Sequence, residues 1–257
     1  MTCAPYLALQ NVGMRFGETA IALDSITLDI AEREFVTIVG PSGCGKSTLL
    51  YLIGGFLRPT AGDLTLRGKP IAGPGPDRGI VFQRYSLFPW LTVRRNISYG
   101  LEELGVPRAE RDRIVGEHIR LVHLEGFEDR YPRELSGGMQ QRVALAQTLV
   151  CQPDILLMDE PFGALDAQTR RILQDEMRRI WHRDTKTVLF VTHDVEEAVA
   201  LGTRIVVMAT RPGRIKEVIR RDFDVTDGDE FEANPQFAAL KLRIWHSIKE
   251  EVEALRP

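Results

Sequence analysis

The sequence predicts an α/β fold, a largely parallel β-sheet flanked by helices, with a helical block inserted into it. Three observations lead there. Short apolar runs rich in β-branched residues recur at 35–39, 155–158, 187–191 and 204–208, as strands buried on both faces require. Helix-like stretches at 47–53, 167–181 and 195–200 lie between them, and strands alternating with helices imply parallel crossovers. Between about residues 86 and 150 the strand signal gives way to helical periodicity.

The elements follow in order. Leu7, Leu9 and Asn11 alternate with Ala8, Gln10 and Val12, and Ile26, Leu28 and Ile30 alternate with polar residues, so the first third reads as strands. The run 35–39 enters a glycine-rich turn and then a helix over 47–53. Further short strands are expected at 63–66 and 79–82, separated by Ala72-Gly73-Pro74-Gly75-Pro76. The helical block holds helices over 93–104 and 108–124, the second with Val115, Ile119 and Val122 on one face and charge opposite. Pro132 interrupts, and a third helix is expected over 137–150. The acidic segment 222–233 reads as a linker. After Pro235, the residues Phe237, Leu240, Ile244 and Ile248 mark an amphipathic terminal helix. The domain reading is one domain over 1–221, with 222–257 as linker and helix.

Composition narrows the function. Of 257 residues, 44% are hydrophobic and 27% charged, and 33 Lys and Arg against 36 Asp and Glu leave a formal charge of −3. No basic excess supports a DNA-coating or polybasic membrane-binding protein. A chain this long buries about three quarters of its unfolded surface, so it needs no disulfide or structural metal. Cys3, Cys44 and Cys151 show no metal or disulfide spacing, which fits a reducing compartment. No charge precedes Arg15, so a basic leader region is missing. The window 35–57 comes nearest to a membrane span, but Lys46, Pro41 and five glycines break it. A cytoplasmic protein is expected, with any membrane association made through a partner.

Chemistry enters at Gly40-Pro41-Ser42-Gly43-Cys44-Gly45-Lys46-Ser47-Thr48. This is the G-x-x-x-x-G-K-S pattern, placed after a strand and before a helix. Its glycines let backbone N–H groups turn inward on an anion, and the helix N-terminus adds a favourable dipole. Lys46 would reach the β- and γ-phosphates and Ser47 would ligate Mg²⁺. The apolar strand 155–158 ends in Asp159-Glu160. Asp159 fits the Mg²⁺ shell, and Glu160 fits a general base or a positioner of water. In this electropositive loop Cys44 is expected to favour the thiolate.

The segment Leu135-Ser136-Gly137-Gly138-Met139-Gln140-Gln141 opens a helix that Ser136 can cap. Followed some twenty residues later by the two-acid strand, it resembles the signature of ATP-binding cassette (ABC) ATPases, and the resemblance extends over about 6–220. It implies a P-loop NTPase (RecA-like) core with an antiparallel β subdomain and an inserted α-helical subdomain. It also implies that Gln83 touches Mg²⁺ and water, that His193 hydrogen-bonds the γ-phosphate, and that Phe16 stacks on adenine. Asp166, in Gly163-Ala164-Leu165-Asp166, would contact the opposite subunit. Ser136, Gly137 and Gly138 would complete the ATP site of a second copy, giving a head-to-tail dimer. Gln140 and Gln147 stand where the family often has arginine, and Gly163 where serine is common.

A finer resemblance is to the nitrate, taurine and alkanesulfonate importers. It rests on Gly73-Pro74-Gly75-Pro76-Asp77-Arg78-Gly79-Ile80-Val81-Phe82-Gln83, Leu87-Phe88-Pro89-Trp90-Leu91-Thr92-Val93 and Thr210-Arg211-Pro212-Gly213-Arg214. It implies two membrane-spanning permease subunits, an indirect link to a substrate-binding protein, no nucleic acid, and a peripheral place on the cytoplasmic side of a bacterial inner membrane. An importer ATPase for another small organic solute is the alternative. A soluble ABC ATPase outside transport is the third reading, though such proteins usually carry a long coiled coil or a second cassette. The cluster Leu87-Phe88-Pro89-Trp90-Leu91 has two readings. It packs inside the helical block, or it lines a groove beside Gln83 for a short helix of a membrane subunit.

Overall fold

A computed structural model of the chain describes residues 5–83, 86–163, 165–184, 186–224 and 234–254. Most of the expected linker 222–233, together with Ala164 and Cys3, lies outside the described residues. In chain order the elements are β1 (Leu7–Phe16), β2 (Ala20–Ile30), β3 (Phe35–Val39), α1 (Lys46–Ile53), β4 (Ala61–Leu66), β5 (Lys69–Pro70) and β6 (Arg78–Val81). There follow α2 (Val93–Glu103), α3 (Arg108–Leu121), a 3₁₀ turn (Pro132–Glu134), α4 (Gly137–Leu149), β7 (Ile155–Asp159) and α5 (Ala167–Asp184). The chain closes with β8 (Thr187–Val191), α6 (Val195–Leu201), β9 (Arg204–Ala209), β10 (Arg214–Arg220) and α7 (Pro235–Glu253). Two compact units result, Met1–Gly75 with Arg178–Pro257, and Pro76–Met177.

In the first unit an antiparallel sheet runs in the order β2-β1-β4-β5. The alternation that predicts β2 covers only its second half, because β1 is irregular. Register shifts fall around Val12 and Met14, and Asn11 takes φ 50. The Asn11 amide oxygen there accepts from the hydroxyls of Ser25 at 3.2 Å and Thr27 at 3.3 Å. Such bulges turn side chains out of the two-residue rhythm.

The unit's other strands run β10-β9-β3-β8, with β3 parallel to both neighbours and β10 antiparallel at the edge. All five residues of β3 are buried, which is why the run shows no alternation. Its one polar residue, Thr37, donates to the carbonyl of Ala198 at 3.1 Å. The face of α7 carrying Phe237 and Ile244 joins one apolar cluster with Val39, Val199, Ile205 and Val207, and Leu240 and Ile248 pack against it. Lys216 of β10 holds the far end of α7, donating to the Ser247 carbonyl at 2.8 Å and the Glu250 carboxylate at 2.9 Å. Desolvation alone would lower the Lys216 pKa, but its bonds to Glu250 and Glu251 prevail and raise it.

In the second unit β6 and β7 pair in parallel, from Arg78 opposite Ile155 to Val81 opposite Met158. Helices α2, α3 and α4 enclose a core of Val93, Ile97, Leu101, Val115, Ile119, Val122, Val143 and Val150. The apolar face expected on α3 is the one buried. The helix stops at Leu121, where His123 turns left-handed at φ 53. Val122 and Leu124 stay in the core nonetheless, so the apolar pattern outruns the helix. Among the described residues no helix is long and apolar enough to cross a membrane.

Candidate functional site

In the first unit the buried strand β3 delivers the chain into the loop 40–45. A Cβ at Gly40 would lie 2.6 Å from the Met208 carbonyl and 2.9 Å from the Cys44 sulfur, so the strand end admits only glycine. Gly43 and Gly45 are left-handed, at φ 77 and φ 92. Gly45 is wedged against β2, where a Cβ would come within 2.6 Å of Leu23. Gly43 faces open space, with Ser42 exposed beside it. Gly45 is the residue preceding α1 and offers no side chain to cap it. The helix therefore keeps its backbone donors and the positive end of its dipole for an anion. Lys46 is only 6% exposed, and its ammonium donates to the carbonyls of Gly40 at 2.9 Å and Pro41 at 3.1 Å. Ser47 and Thr48 follow in the first turn of α1. An uncapped helix start, two left-handed glycines and a held lysine fit a polyphosphate.

The expectation for Cys44 is overturned. Its side chain is fully buried, enclosed where Gly40 approaches it. Burial pushes the thiol above its ordinary 9.0, and the Lys46 charge, 3.9 Å away, only partly offsets this. The loop is electropositive toward a ligand, but the sulfur faces inward. Cys44 contributes backbone rather than a reactive thiolate.

His193 follows β8 in a three-residue link to α6 and is exposed. Asp194 caps α6, accepting from the N–H groups of Glu196 at 2.8 Å and Glu197 at 3.2 Å. His193, Val195, Leu242 and Trp245 are among the residues lining a pocket of about 600 Å³ between this link and α7. Phe16 stands 47% exposed at the end of β1, open to a flat ligand.

In the second unit β7 ends on Asp159, 1% exposed. Glu160 then turns left-handed at φ 45, a conformation costing a non-glycine residue about 1 kcal/mol or more. Its carboxylate accepts from the Gln83 amide at 3.2 Å, so two residues 77 positions apart meet. Among the described residues no cluster of three or more His, Cys, Asp or Glu forms a metal cage. Of the three residues expected around Mg²⁺, Gln83 and Asp159 belong to this unit and Ser47 to the first; all three offer oxygen, the donor type Mg²⁺ takes.

The glycine segment that opens α4 is held from several sides. Ser136 caps α4, accepting from the Met139 N–H at 3.3 Å. Gln140, where arginine was expected from the resemblance, donates to the carbonyls of Pro132 at 3.0 Å and Leu135 at 3.3 Å. A Cβ on Gly138 would lie 2.8 Å from a Thr169 methyl, so its smallness lets α4 approach α5; Gly137 is the first residue of α4. Asp166 accepts from the Thr169 N–H at 3.0 Å, and that backbone bond is the main cause lowering its pKa.

The reading of Trp90 as a packed residue fails, because it is 70% exposed. Its ring lies 5.7 Å from Phe88, which lies 4.6 Å from the half-exposed Tyr99. The segment stays ordered through Asn96, fully buried on α2. The Asn96 oxygen accepts from the Phe88 N–H at 2.8 Å. Its NH₂ donates to the carbonyls of Phe88, Leu91 and Thr92 at 2.9 to 3.2 Å. Sequence reasoning passed over Asn96, yet it left a signal, an amide on the apolar stripe of Val93, Ile97 and Leu101.

Comparison with known proteins agrees with these features. The ABC transporter family model matches residues 23–163. A putative ATP-binding protein of Brucella abortus is 49% identical over 244 residues, covering 95% of this chain and 94% of that one. A taurine import ATP-binding protein of Rhizobium johnstonii is 48% identical over 247 residues, 94% of each. Among solved structures, a dimeric bacterial ABC transporter cassette aligns at 34% identity and a TM-score of 0.77, over 84% of this chain and all of its own. The same cassette in a post-hydrolysis state with ADP and Pi aligns at 35% identity and 0.73, over the same shares.

Proposed function

The chain belongs to the ABC transporter family and is an ATPase, and on that premise we propose that it powers a bacterial importer for taurine, an alkanesulfonate, nitrate or a similar small anion. The observation that carries the hydrolytic reading is Glu160, held left-handed with its carboxylate on Gln83. A costly backbone conformation at an acid following a buried strand makes sense where that acid must aim at a reacting group. The anion class is supported by the 48% identity to a taurine import protein.

In this reading the loop from Gly40 to Thr48 wraps the phosphates and Lys46 turns from its carbonyls to the γ-phosphate. Ser47, Asp159 and Gln83 would hold Mg²⁺, which when bound would supply charge neutralisation at the phosphates. Glu160 orients the attacking water and accepts its proton. His193 hydrogen-bonds the γ-phosphate, and Phe16 stacks on adenine. Ser136, Gly137, Gly138 and Asp166 act on the nucleotide of a second copy, so that two chains turn over together, and a two-fold pair puts both halves on each chain. Trp90 and Phe88 offer the aromatic contact for a membrane subunit on the cytoplasmic face. The test is copurification with candidate permease subunits, then ATPase assay in liposomes with binding proteins loaded with taurine, an alkanesulfonate or nitrate. Stimulation by one loaded protein is the expected result. No retention by any permease, with turnover indifferent to every anion, would overturn the importer reading.

A further inference from the structure

The link that carries His193 is built more rigidly than a strand-to-helix turn needs. Thr192, 2% exposed, donates its backbone N–H to the Ile38 carbonyl of β3 at 3.1 Å. Its hydroxyl accepts from the Asp194 N–H at 3.0 Å and donates to the Glu197 carboxylate at 2.6 Å. The residues on either side of His193 are thus tied to each other through one hydroxyl, and Glu197 fixes which way that hydroxyl points. His193 is the exposed member of the link.

Glu197 itself is 4% exposed. A carboxylate in the first turn of a helix gains from the dipole whether or not it is buried. Its neighbour Glu196 has that gain near the surface, 44% exposed on an ion pair with Lys241. Burying Glu197 adds a desolvation cost that the helix alone does not call for. Its short bond to Thr192 is one contact that the buried placement secures.

We infer that Glu197 is a positioning residue for His193, acting through the Thr192 hydroxyl; the inference rests on the reading of His193 as the group that engages the γ-phosphate. Without the carboxylate, the hydroxyl loses its set direction and the imidazole its fixed presentation, while the phosphate loop keeps its own contacts.

The experiment measures kcat and KM for ATP on the full chain, with melting temperature alongside. Glu197→Ala and Thr192→Val are expected to lower kcat by about tenfold with KM within about twofold. Glu197→Gln and Thr192→Ser each keep the hydrogen bond and should return to within about threefold of the parent. The double variant Glu197→Ala with Thr192→Val should be no slower than either alone, because both break one unit. A Glu197→Gln variant as slow as Glu197→Ala, or a Glu197→Ala variant with the parent kcat, would overturn the inference. So would additive losses in the double variant. His193→Ala separates the two levels. If it retains full kcat, the role of His193 fails; if it is slow while Glu197→Ala is normal, only the positioning role fails.

Discussion

Replacing Trp90 by alanine separates a surface contact from a packing residue. The indole is 70% exposed, leaving about 30% covered. An aromatic of roughly 250 Å² then loses about 75 Å² of contact, or about 2 kcal/mol at 25 cal/mol/Å². Scaling the ~3–5 kcal/mol cost of truncating a buried tryptophan by the same fraction gives about 1 kcal/mol. A change of about 1–2 kcal/mol lowers the melting temperature of a chain this size by about 2–8 °C, whereas the ~3–5 kcal/mol of a buried tryptophan would lower it by roughly 6–20 °C. The assay is thermal unfolding of the free chain, with ATP binding and retention by permease subunits measured on the same variant. A small melting shift, unchanged ATP binding and lost retention are expected, since exposed aromatics anchor interfaces. A fall of 10 °C or more would refute the surface geometry. A small fall with full retention and transport would refute the contact role.

Asn96→Leu fills a similar volume but takes the side-chain partner from the Phe88 N–H and the Leu91 carbonyl, while the Phe88 and Thr92 carbonyls keep the backbone N–H groups of Leu91 and Asn96, so urea unfolding should show a loss of about 2–4 kcal/mol; a change under about 0.5 kcal/mol would remove Asn96 as the staple of that segment. Glu160→Gln keeps an oxygen for the Gln83 amide but removes the charge that activates water, so turnover should fall about 10²- to 10⁴-fold with ATP still bound, and near-normal turnover with Mg-ATP would remove Glu160 from that role. Cys44, in a Cys3→Ser, Cys151→Ser chain, should react with an aromatic disulfide reagent far more slowly in the folded than in the unfolded protein, because its sulfur is fully enclosed and burial raises its pKa, disfavouring the reactive thiolate. Rapid stoichiometric labelling of the folded chain would show the sulfur to be open.

Where burial is two-sided or helical periodicity is clean, the sequence was readable. The runs that became β3, β7, β8 and β9 advertise themselves by apolar content alone, and α2, α3, α4 and α7 by their stripes. Legibility failed where a local rule was broken by a distant partner. The first half of β2 is hidden by the bulges of β1. The edge strand β10 carries Arg214, Lys216, Glu217 and Arg220, charges that mask its pattern but suit an edge. At the candidate site, glycine spacing points to the loop 40–48, because backbone geometry there is written in glycines, and the acids 159 and 160 stand out as the end of an apolar strand. The direction of a side chain is not. Cys44 stands two residues before a lysine in sequence, yet only its burial and the approach of Gly40 show that its sulfur is enclosed. The Thr192–Glu197 bond is likewise silent in sequence, since a buried first-turn glutamate and an exposed one are spelled alike.

One helix at the end of the chain has a bearing on motion far from it. Phe237 and Ile244 share an apolar cluster with Val39, the residue immediately before the phosphate loop. Burying two such side chains is worth about 3–6 kcal/mol, so α7 and β3 open together rather than separately. The amides of β3 should then exchange with solvent water no faster than α7 lifts, and the breathing of the phosphate loop is damped from the C-terminal end. A chain cut after β10 would bare Val39, Ile205 and Val207 on that side, and its nucleotide affinity would describe a looser molecule than the one that carries α7.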